Sequence, residues 1–479
     1  MTSTPAISSI PKMPMDTRSA ISTIWKIFFS ALAIRWAYAL VLFTAMGELG
    51  LKGVDSYTYV AVAHQFSEAL TAGSVSGWDW LGPNPTIMPL FNGLISLSAF
   101  LFGKFGPLAY VFAQGAIDSG TCVLVYLIAK LIEPRFAVAA AIAAVVNPTQ
   151  IVMSGLVYPD TPFVFSVALF LYGAVRWLRV PSTGSAALIA IGLSCCALIR
   201  ILIVPWAALL LVFLFCVATI RSRLSILLTG QLACIAIVFA LCVGIVIGRN
   251  VAKFNAWALT SQGGIHLQTV VPWVRQAYDG TPWTQGHQEL MALSERRFPV
   301  LTDNPFELSR RYSQVATEAW RTFGLIPTVK AWIYGAVINL GSPGFILSPP
   351  LIQIPRTGFY GTPGSSMAEK MSNFFFHSES ALYSWAMLIG TVGVLIIRLI
   401  QTAGLIGILG QARHDRAKFL PIVILFALWF CFILAVNGPI ASPKYRLPLE
   451  PILNILTGMG YYSLWGWRAV ADGNKKELG

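Results

Sequence analysis

Residues 224–247 read LSILLTGQLACIAIVFALCVGIVI, 24 residues without one Asp, Glu, Lys or Arg. As an α-helix this stretch is about 36 Å long, enough to cross the roughly 30 Å hydrocarbon core of a bilayer. Arg221 and Arg223 stand before it and Arg249 just after it, where headgroups and water begin. Comparable apolar runs lie at 22–46, 107–129, 136–153, 161–178, 184–199, 201–219, 380–402, 419–436 and 447–467, with two more at 87–103 and 325–345. Over all 479 residues, 56% are hydrophobic, 11% are charged and the mean hydropathy is +0.69. A soluble domain carries about 25% charged residues. Lipid must cover most of this apolar surface, so the chain is an all-α polytopic membrane protein.

Charge placement decides which runs cross. If 87–103 spans, Lys130 and Arg135 fall outside. If it lies along the outer surface, the basic turns come into register on one side: Lys12, Arg18 and Lys26; Lys130 and Arg135; Arg176 and Arg179; Arg221 and Arg223; Arg413, Arg416 and Lys418; Lys475 and Lys476. The same register makes 325–345, with Pro327, Lys330, Gly341 and Pro343, an interfacial segment. Ten spans result, with both termini in the cytoplasm. Residues 1–21 form a cytoplasmic N-terminal tail, and 22–247 a transmembrane module containing a first outer loop (47–105). Residues 248–379 form a large outer loop with interfacial helices, 380–467 the C-terminal transmembrane helices, and 468–479 a cytoplasmic tail. The large loop is too long for a tether and should be structured, with a mobile Pro/Gly/Ser-rich stretch at Gly341–Gly364. The run at 22–46 is too long for a signal-peptide core and should anchor. The net charge of +13 reads as positive-inside bias, because no Lys/Arg run of nucleic-acid type occurs. Cys122, Cys195, Cys196, Cys216, Cys234, Cys242 and Cys431 all lie in apolar runs without CxxC spacing and read as small buried hydrophobes.

Carboxylates are few on the outer side. Asp55, in Gly53-Val54-Asp55-Ser56-Tyr57, precedes a segment with helical apolar spacing. It is placed either to cap that helix or to take a proton from an acceptor at the membrane boundary. Asp160, in Tyr158-Pro159-Asp160-Thr161-Pro162, sits in a short outward turn at similar depth, with the same two readings. Asp79, between Trp78 and Trp80, suits interfacial anchoring. Arg200, Arg249, Lys444 and Arg446 stand at the same boundary, either snorkelling to headgroups or holding a lipid-borne phosphate. His64, His266, His287, His377 and His414 show no metal-ligand spacing, and there is no Walker loop, dinucleotide fingerprint or GxSxG elbow.

These landmarks, in this order over about residues 25–467, resemble the GT-C superfamily of polyprenyl-phosphate-sugar-dependent membrane glycosyltransferases, in its protein mannosyltransferase and aminoarabinose transferase branch. Asp55 leads Asn84-Pro85-Thr86-Ile87-Met88-Pro89-Leu90-Phe91, similar to the family's HPPLYPLLL juxtamembrane helix. Asn147-Pro148 and Tyr158-Pro159-Asp160 follow, the latter like a second outward acidic site. Arg249-Asn250, Phe254 and Leu259-Thr260-Ser261 resemble the segment that opens the large loop, and Lys444-Tyr445-Arg446-Leu447-Pro448 the family's RYRLP. Ser56-Tyr57 after Asp55 and Asn84 in place of the first histidine depart from the pattern.

The resemblance implies a GT-C-like helical bundle and an inverting transfer from a polyprenyl-phosphate-linked sugar to a lipid, glycan or protein acceptor. It implies Asp55 as base, Asp160 as the second carboxylate, and Arg249, Lys444, Arg446 and Arg200 around the lipid phosphate. It implies no fixed cofactor, a divalent cation being the one left open, and a site facing the periplasm or exterior of a bacterial inner membrane. Two other classes compete. A membrane polysaccharide polymerase or ligase would use loop arginines such as Arg296-Arg297 and Arg310-Arg311. A secondary transporter would use an intramembrane acid such as Asp118, but should show an internal repeat, and none is visible.

Overall fold

The computed structural model describes residues 17–221, 225–355, 362–364 and 366–477, with side chains from 21 to 464 apart from Met367. Lys12, Arg223 and part of Gly341–Gly364 lie outside the described residues, and the side chains of Arg18, Lys475 and Lys476 are not described. Every element among the described residues is helical. The N-terminal part comprises α1 (Thr17–Met46), α2 (Ser56–Thr71), α3 (Pro89–Phe102), α4 (Gly106–Ile132), α5 (Ala137–Val145) and α6 (Pro148–Ser154). It continues with α7 (Asp160–Arg179), α8 (Thr183–Ile199), α9 (Ile203–Ile220) and α10 (Ile226–Phe254). The large loop holds α11 (Gln262–Asp279), α12 (Trp283–Arg297), α13 (Pro305–Phe323), α14 (Leu325–Gly341), α15 (Pro349–Ile352) and α16 (Met367–Phe376). The chain ends in α17 (Ala381–His414), α18 (Arg416–Asn437) and α19 (Glu450–Glu477).

Seven helices among the described residues are long and apolar enough to cross a membrane, or up to nine if each of two bent pairs is one span. The chain is a multi-pass integral membrane protein. Apolar residues 89–132 do not form one rod. Gly103, at φ +54°, turns the chain, and Gly106 packs on Ala99 so that α3 folds back against α4. At 14 residues α3 is about 21 Å long, short of the hydrocarbon thickness, as a surface helix should be.

The run 136–153 is not a continuous span. It breaks between α5 and α6 with a 49° bend. Pro148 disfavours helix at the residue before it, and the Asn147 side chain caps the restart by accepting from Thr149 N (3.0 Å) and Gln150 N (3.2 Å). The Val145 carbonyl left bare at the end of α5 is taken by Arg35 of α1, which donates to it (2.5 Å) and to Ala144 O (3.0 Å), an oxygen that Asn147 N also reaches (3.4 Å). Arg35 also pairs with Asp118 of α4 at 2.9 Å, both side chains being fully buried. In lipid an unpaired backbone carbonyl has no water to turn to, so a broken helix requires such a donor.

Close helix contacts rest on small residues. A Cβ on Gly192 of α8 would lie 2.6 Å from Phe170 N of α7, so those backbones approach as only a glycine permits. Trp206, Trp429, Phe170 and Phe432 interlock α7, α9 and α18.

At one end of the bundle the basic turns meet. Arg179 donates to Leu131 O and Ile132 O, and Arg221 to Leu178 O and Ala417 O, while Arg179 stacks on Phe419. The first and large loops cover the opposite end. There α11, α12 and α13 enclose a small core of Val271, Leu290, Val315 and Ala316. A 106° bend separates α13 from α14. On α14, Ala331, Gly335 and Asn339 face the protein, whereas Ile326, Val329, Ile333 and Val337 are exposed apolar side chains. That division suits a helix laid between protein and lipid.

Candidate active site

The site is assembled where residues 51–56 lace onto residues 156–158. Val157 N donates to Leu51 O (2.9 Å), and the buried Ser56 hydroxyl donates to Val157 O (2.9 Å) while accepting from Gly53 N (2.9 Å). Asp55 N donates to the Tyr158 hydroxyl (3.2 Å). The Asp55 carboxylate makes no capping bond to α2, although it stands at the N-cap position. It accepts instead from Lys444 Nζ at 2.8 Å, and 44% of the side chain remains exposed. Gly53 lies against the Tyr158 ring, and a Cβ there would come within 2.6 Å of the hydroxyl oxygen. Gly53→Ala is therefore expected to force Tyr158 aside, break its bond to Asp55 N and cost about 1–3 kcal/mol. Thermal melting of the detergent-solubilised variant checks this.

Asp160 opens α7 and is nearly buried. It accepts from Arg200 at 2.7 Å. The lacing brings this second pair beside the first. Burial opposes the charge on Lys444, but Tyr445, Asp160, Asp55 and Tyr158 outweigh it and raise its pKa, so the ammonium stays charged through the physiological range. Lys444 also sits over the rings of Tyr158 (5.2 Å) and Tyr445 (5.3 Å). The Tyr59 hydroxyl is raised chiefly by burial, and Arg200, Asp55, Asp160 and Lys444 all act on it. It is a neutral phenol amid two carboxylates and two cations. Burial likewise holds the Tyr158 hydroxyl up against the pull of Lys444.

Arg446 and Arg249 stand elsewhere. Arg446 is buried, donating to Glu450 (2.7 Å), Thr149 Oγ1 (2.7 Å), Ser342 O (2.6 Å) and Asn339 O (3.0 Å). It locks the 3-10 turn that carries Lys444 to α6 and α14. Glu450 continues inward through Asn147 (2.8 Å), Asn454 (3.1 Å to Asn147) and Gln150 (2.8 Å to Asn454) to Asp118 (3.1 Å) and so to Arg35. One polar chain thus runs from Lys444's turn into the bundle. Arg249, also buried, donates to Leu81 O (3.0 Å), Gly82 O (3.1 Å) and its neighbour Asn250, pinning the first loop to α10. Asp79 pairs with Lys253 at the same seam.

The loop arginines belong to surface helices. Arg297 pairs with Glu318, and Arg310 and Arg311 both pair with Glu307. Among the described residues no three His, Cys, Asp or Glu side chains converge as metal ligands. Asp55 and Asp160 each face a cation of their own, a donor set that does not fit a divalent ion held between them. Ser56, Tyr59, Tyr158 and Gly53 had drawn no functional reading from the sequence. Their signal was faint: a hydroxyl, two phenols and a glycine flanking the two acids.

No family model and no curated relative matches the sequence. Solved structures do. The oligosaccharyltransferase AglB from Archaeoglobus fulgidus, in complex with an inhibitory peptide and a dolichol-phosphate, aligns over 96% of this chain and 52% of its own, with 14% identity and a TM-score of 0.52. The apo form of the Archaeoglobus fulgidus oligosaccharyltransferase aligns over 95% and 52%, with 14% identity and a TM-score of 0.50. ArnT from Cupriavidus metallidurans bound to undecaprenyl phosphate aligns over 94% and 78%, with 12% identity and a TM-score of 0.38, too distant to carry an argument. The chain spans about half the length of the oligosaccharyltransferase structures it matches. At these identities the likeness is one of fold alone: a GT-C-like helical bundle, shared with the Archaeoglobus fulgidus oligosaccharyltransferase.

Proposed function

We propose that this chain is a membrane glycosyltransferase that moves a sugar from a polyprenyl-phosphate donor to an acceptor hydroxyl or amine, inverting the anomeric centre. One observation carries the reading: two carboxylate–cation pairs, the part-exposed Asp55 with Lys444 and the buried Asp160 with Arg200, both act on Tyr59 at the loop-covered end of a lipid-embedded bundle. The acceptor's O–H or N–H proton passes to Asp55 as the acceptor atom bonds to the anomeric carbon. The bond from that carbon to the phosphate oxygen breaks, and its electron pair leaves with the phosphate. Lys444 offers three N–H donors, of which Asp55 takes one. The Arg200 guanidinium spends one nitrogen on Asp160, and its buried Nε has no hydrogen-bond partner. Both can therefore take up the charge of the departing phosphate while Asp160 holds Arg200 in place.

Arg446 and Arg249 fall to positioning in this reading, because carbonyls and Glu450 or Asn250 already occupy their guanidinium groups. A dolichol-phosphate in the archaeal oligosaccharyltransferase of like fold is the same class of ligand. The basic turns at the other end face the cytoplasm by the positive-inside rule, so the site opens to the periplasm or exterior. The division into an N-terminal transmembrane module (22–247), a large outer loop (248–379) and C-terminal helices (380–467) belongs to the same proposal.

The test is transfer from a labelled polyprenyl-phosphate sugar by the purified protein. Lys444→Met is expected to raise the donor KM about 10- to 100-fold, since a hydrogen bond to a charged group is worth about 1.5–3 kcal/mol. Failure to transfer from any sugar lipid, alongside substrate-dependent uptake by proteoliposomes, would replace the transferase by a transporter.

A further inference from the structure

Arg398 stands in the middle of the 34-residue α17, with the exposed apolar side chains of Leu395, Ile396 and Leu399 beside it in the chain. A guanidinium within a membrane-spanning helix is costly unless something answers its charge, and the reaction proposed above does not use it. Its Nε donates to Leu340 O (3.0 Å) at the end of α14 and its Nη1 to Gln401 Oε1, both neutral acceptors. Among the described residues no carboxylate pairs with it. Glu450, the acid whose charge reaches it, is already bonded to Arg446 (2.7 Å) and Asn147 (2.8 Å). Two guanidinium groups thus share one carboxylate, and one positive charge is left over. Nη2 makes no hydrogen bond among the described residues and is open at the surface of a half-buried side chain. Capping α14 does not explain the charge, because Leu340 O also receives Arg446 (3.4 Å) and any neutral donor would serve it.

The open edge is joined to the catalytic pairs through the end of α14. Arg446 donates to Asn339 O (3.0 Å) and Ser342 O (2.6 Å), and Asn339 accepts from Ser442 N (2.7 Å). Two residues after Ser442, Lys444 meets Asp55. One locked cluster of carbonyls therefore carries Arg398 on its α17 side and Lys444 on its loop side. The chemistry at Arg398 selects the occupant. A guanidinium edge matches a phosphate. The surroundings are apolar, with Val337 exposed on α14 and Leu395, Ile396 and Leu399 on α17. A soluble anion would leave water to come here, whereas a lipid brings a tail that covers those side chains.

We propose that Arg398 holds a lipid-borne phosphate at a second position, apart from Lys444 and Arg200, and that the lipid is the polyprenyl-phosphate carrier beside the site. Naming the carrier rests on the transferase reading; the binding of a lipid phosphate does not. Native mass spectrometry of the full chain in neutral detergent would count bound farnesyl phosphate, with farnesol and phosphatidylglycerol as comparisons. In Lys444→Met, which disables the catalytic pair, farnesyl phosphate should still bind about 10-fold better than farnesol. Adding Arg398→Gln should weaken that binding about 10-fold, and Arg398→Lys, which restores the charge, should keep most of it. Binding unchanged by Arg398→Gln, or equal for farnesol, would overturn the second position. Phosphatidylglycerol that displaces farnesyl phosphate one for one at equal concentration would give the position to bulk phospholipid and overturn the carrier. Arg398→Gln also loosens the end of α14, so a measurement on the unaltered chain stands beside it. A farnesyl phosphate analogue with a diazirine in its first isoprene unit should label residues 395–402 or 337–342. Labelling confined to residues 55–59, 158–160 and 444–446 would overturn the proposal. Transfer from a polyprenyl-phosphate sugar without Arg398-dependent binding would sink this inference alone. Arg398-dependent binding without transfer from any sugar lipid would sink the transferase reading and leave the lipid-phosphate position standing.

Discussion

Asp55→Asn is expected to lower the turnover of sugar transfer about 10²- to 10⁴-fold, the range a positioned general base contributes. The fold should hardly register the change. The carboxylate makes no capping bond to α2, keeps 44% of its side chain exposed, and an amide fits the same space. Lys444 should stay in place, since the rings of Tyr158 and Tyr445 and the locked turn around Arg446 hold it as well. The loss should therefore fall on kcat, with donor KM nearly unchanged. Asp160→Asn makes the contrast. Asp160 is nearly buried against Arg200, so its loss should release Arg200 and raise donor KM. Single-turnover and steady-state assays with a labelled polyprenyl-phosphate sugar separate the two. Turnover of Asp55→Asn equal to wild type would remove Asp55 as the base.

The helical, membrane-embedded class was legible because hydropathy is a local property: 24 uncharged residues at 224–247 admit few other readings. Setting 87–103 apart from the spans needed only the charges around it, and α3 does fold back at Gly103. The break inside 136–153 was written in Asn147-Pro148, yet a run of small apolar residues on either side hid it. What makes the break tolerable is Arg35, 110 residues away from the carbonyl it caps, and no local pattern announces that. The same distance problem governs the site. Asp55 and Lys444 are 389 residues apart, and each alone had a bland alternative as a cap or a snorkelling cation. Residue type and depth picked out Arg200, Arg249, Lys444 and Arg446 as boundary cations. Only the backbone path separates Arg446 and Arg249, whose guanidinium groups are taken up by main-chain carbonyls and by Glu450 or Asn250, from Lys444 and Arg200, which pair with Asp55 and Asp160.

Arg35→Ala is expected to destabilise the protein by about 3–5 kcal/mol, the cost of leaving one member of a buried ion pair unpaired. Two effects add there: Asp118 loses its cation, and Val145 O loses its donor at the break between α5 and α6, while Ala144 O keeps only the long bond from Asn147 N. The double variant Arg35→Met/Asp118→Leu separates them. It removes both charges and keeps most of the volume, so the ion-pair part should return. The bare Val145 carbonyl remains, costing about 1–3 kcal/mol, and the double variant should recover only part of the loss. Full recovery in thermal or denaturant melts would mean that the carbonyl clamp is not what holds the broken helix. The same variant bears on Asp118 as an ion-coupling acid. Asp118 is paired to Arg35 and Gln150 and lies at the inner end of the polar chain that reaches Arg446, which suits a structural member rather than a group that must exchange ions. Below its lowered melting temperature the double variant should therefore still transfer sugar. A folded double variant that has lost substrate uptake by proteoliposomes, with no transfer to lose, would return Asp118 to the transporter class.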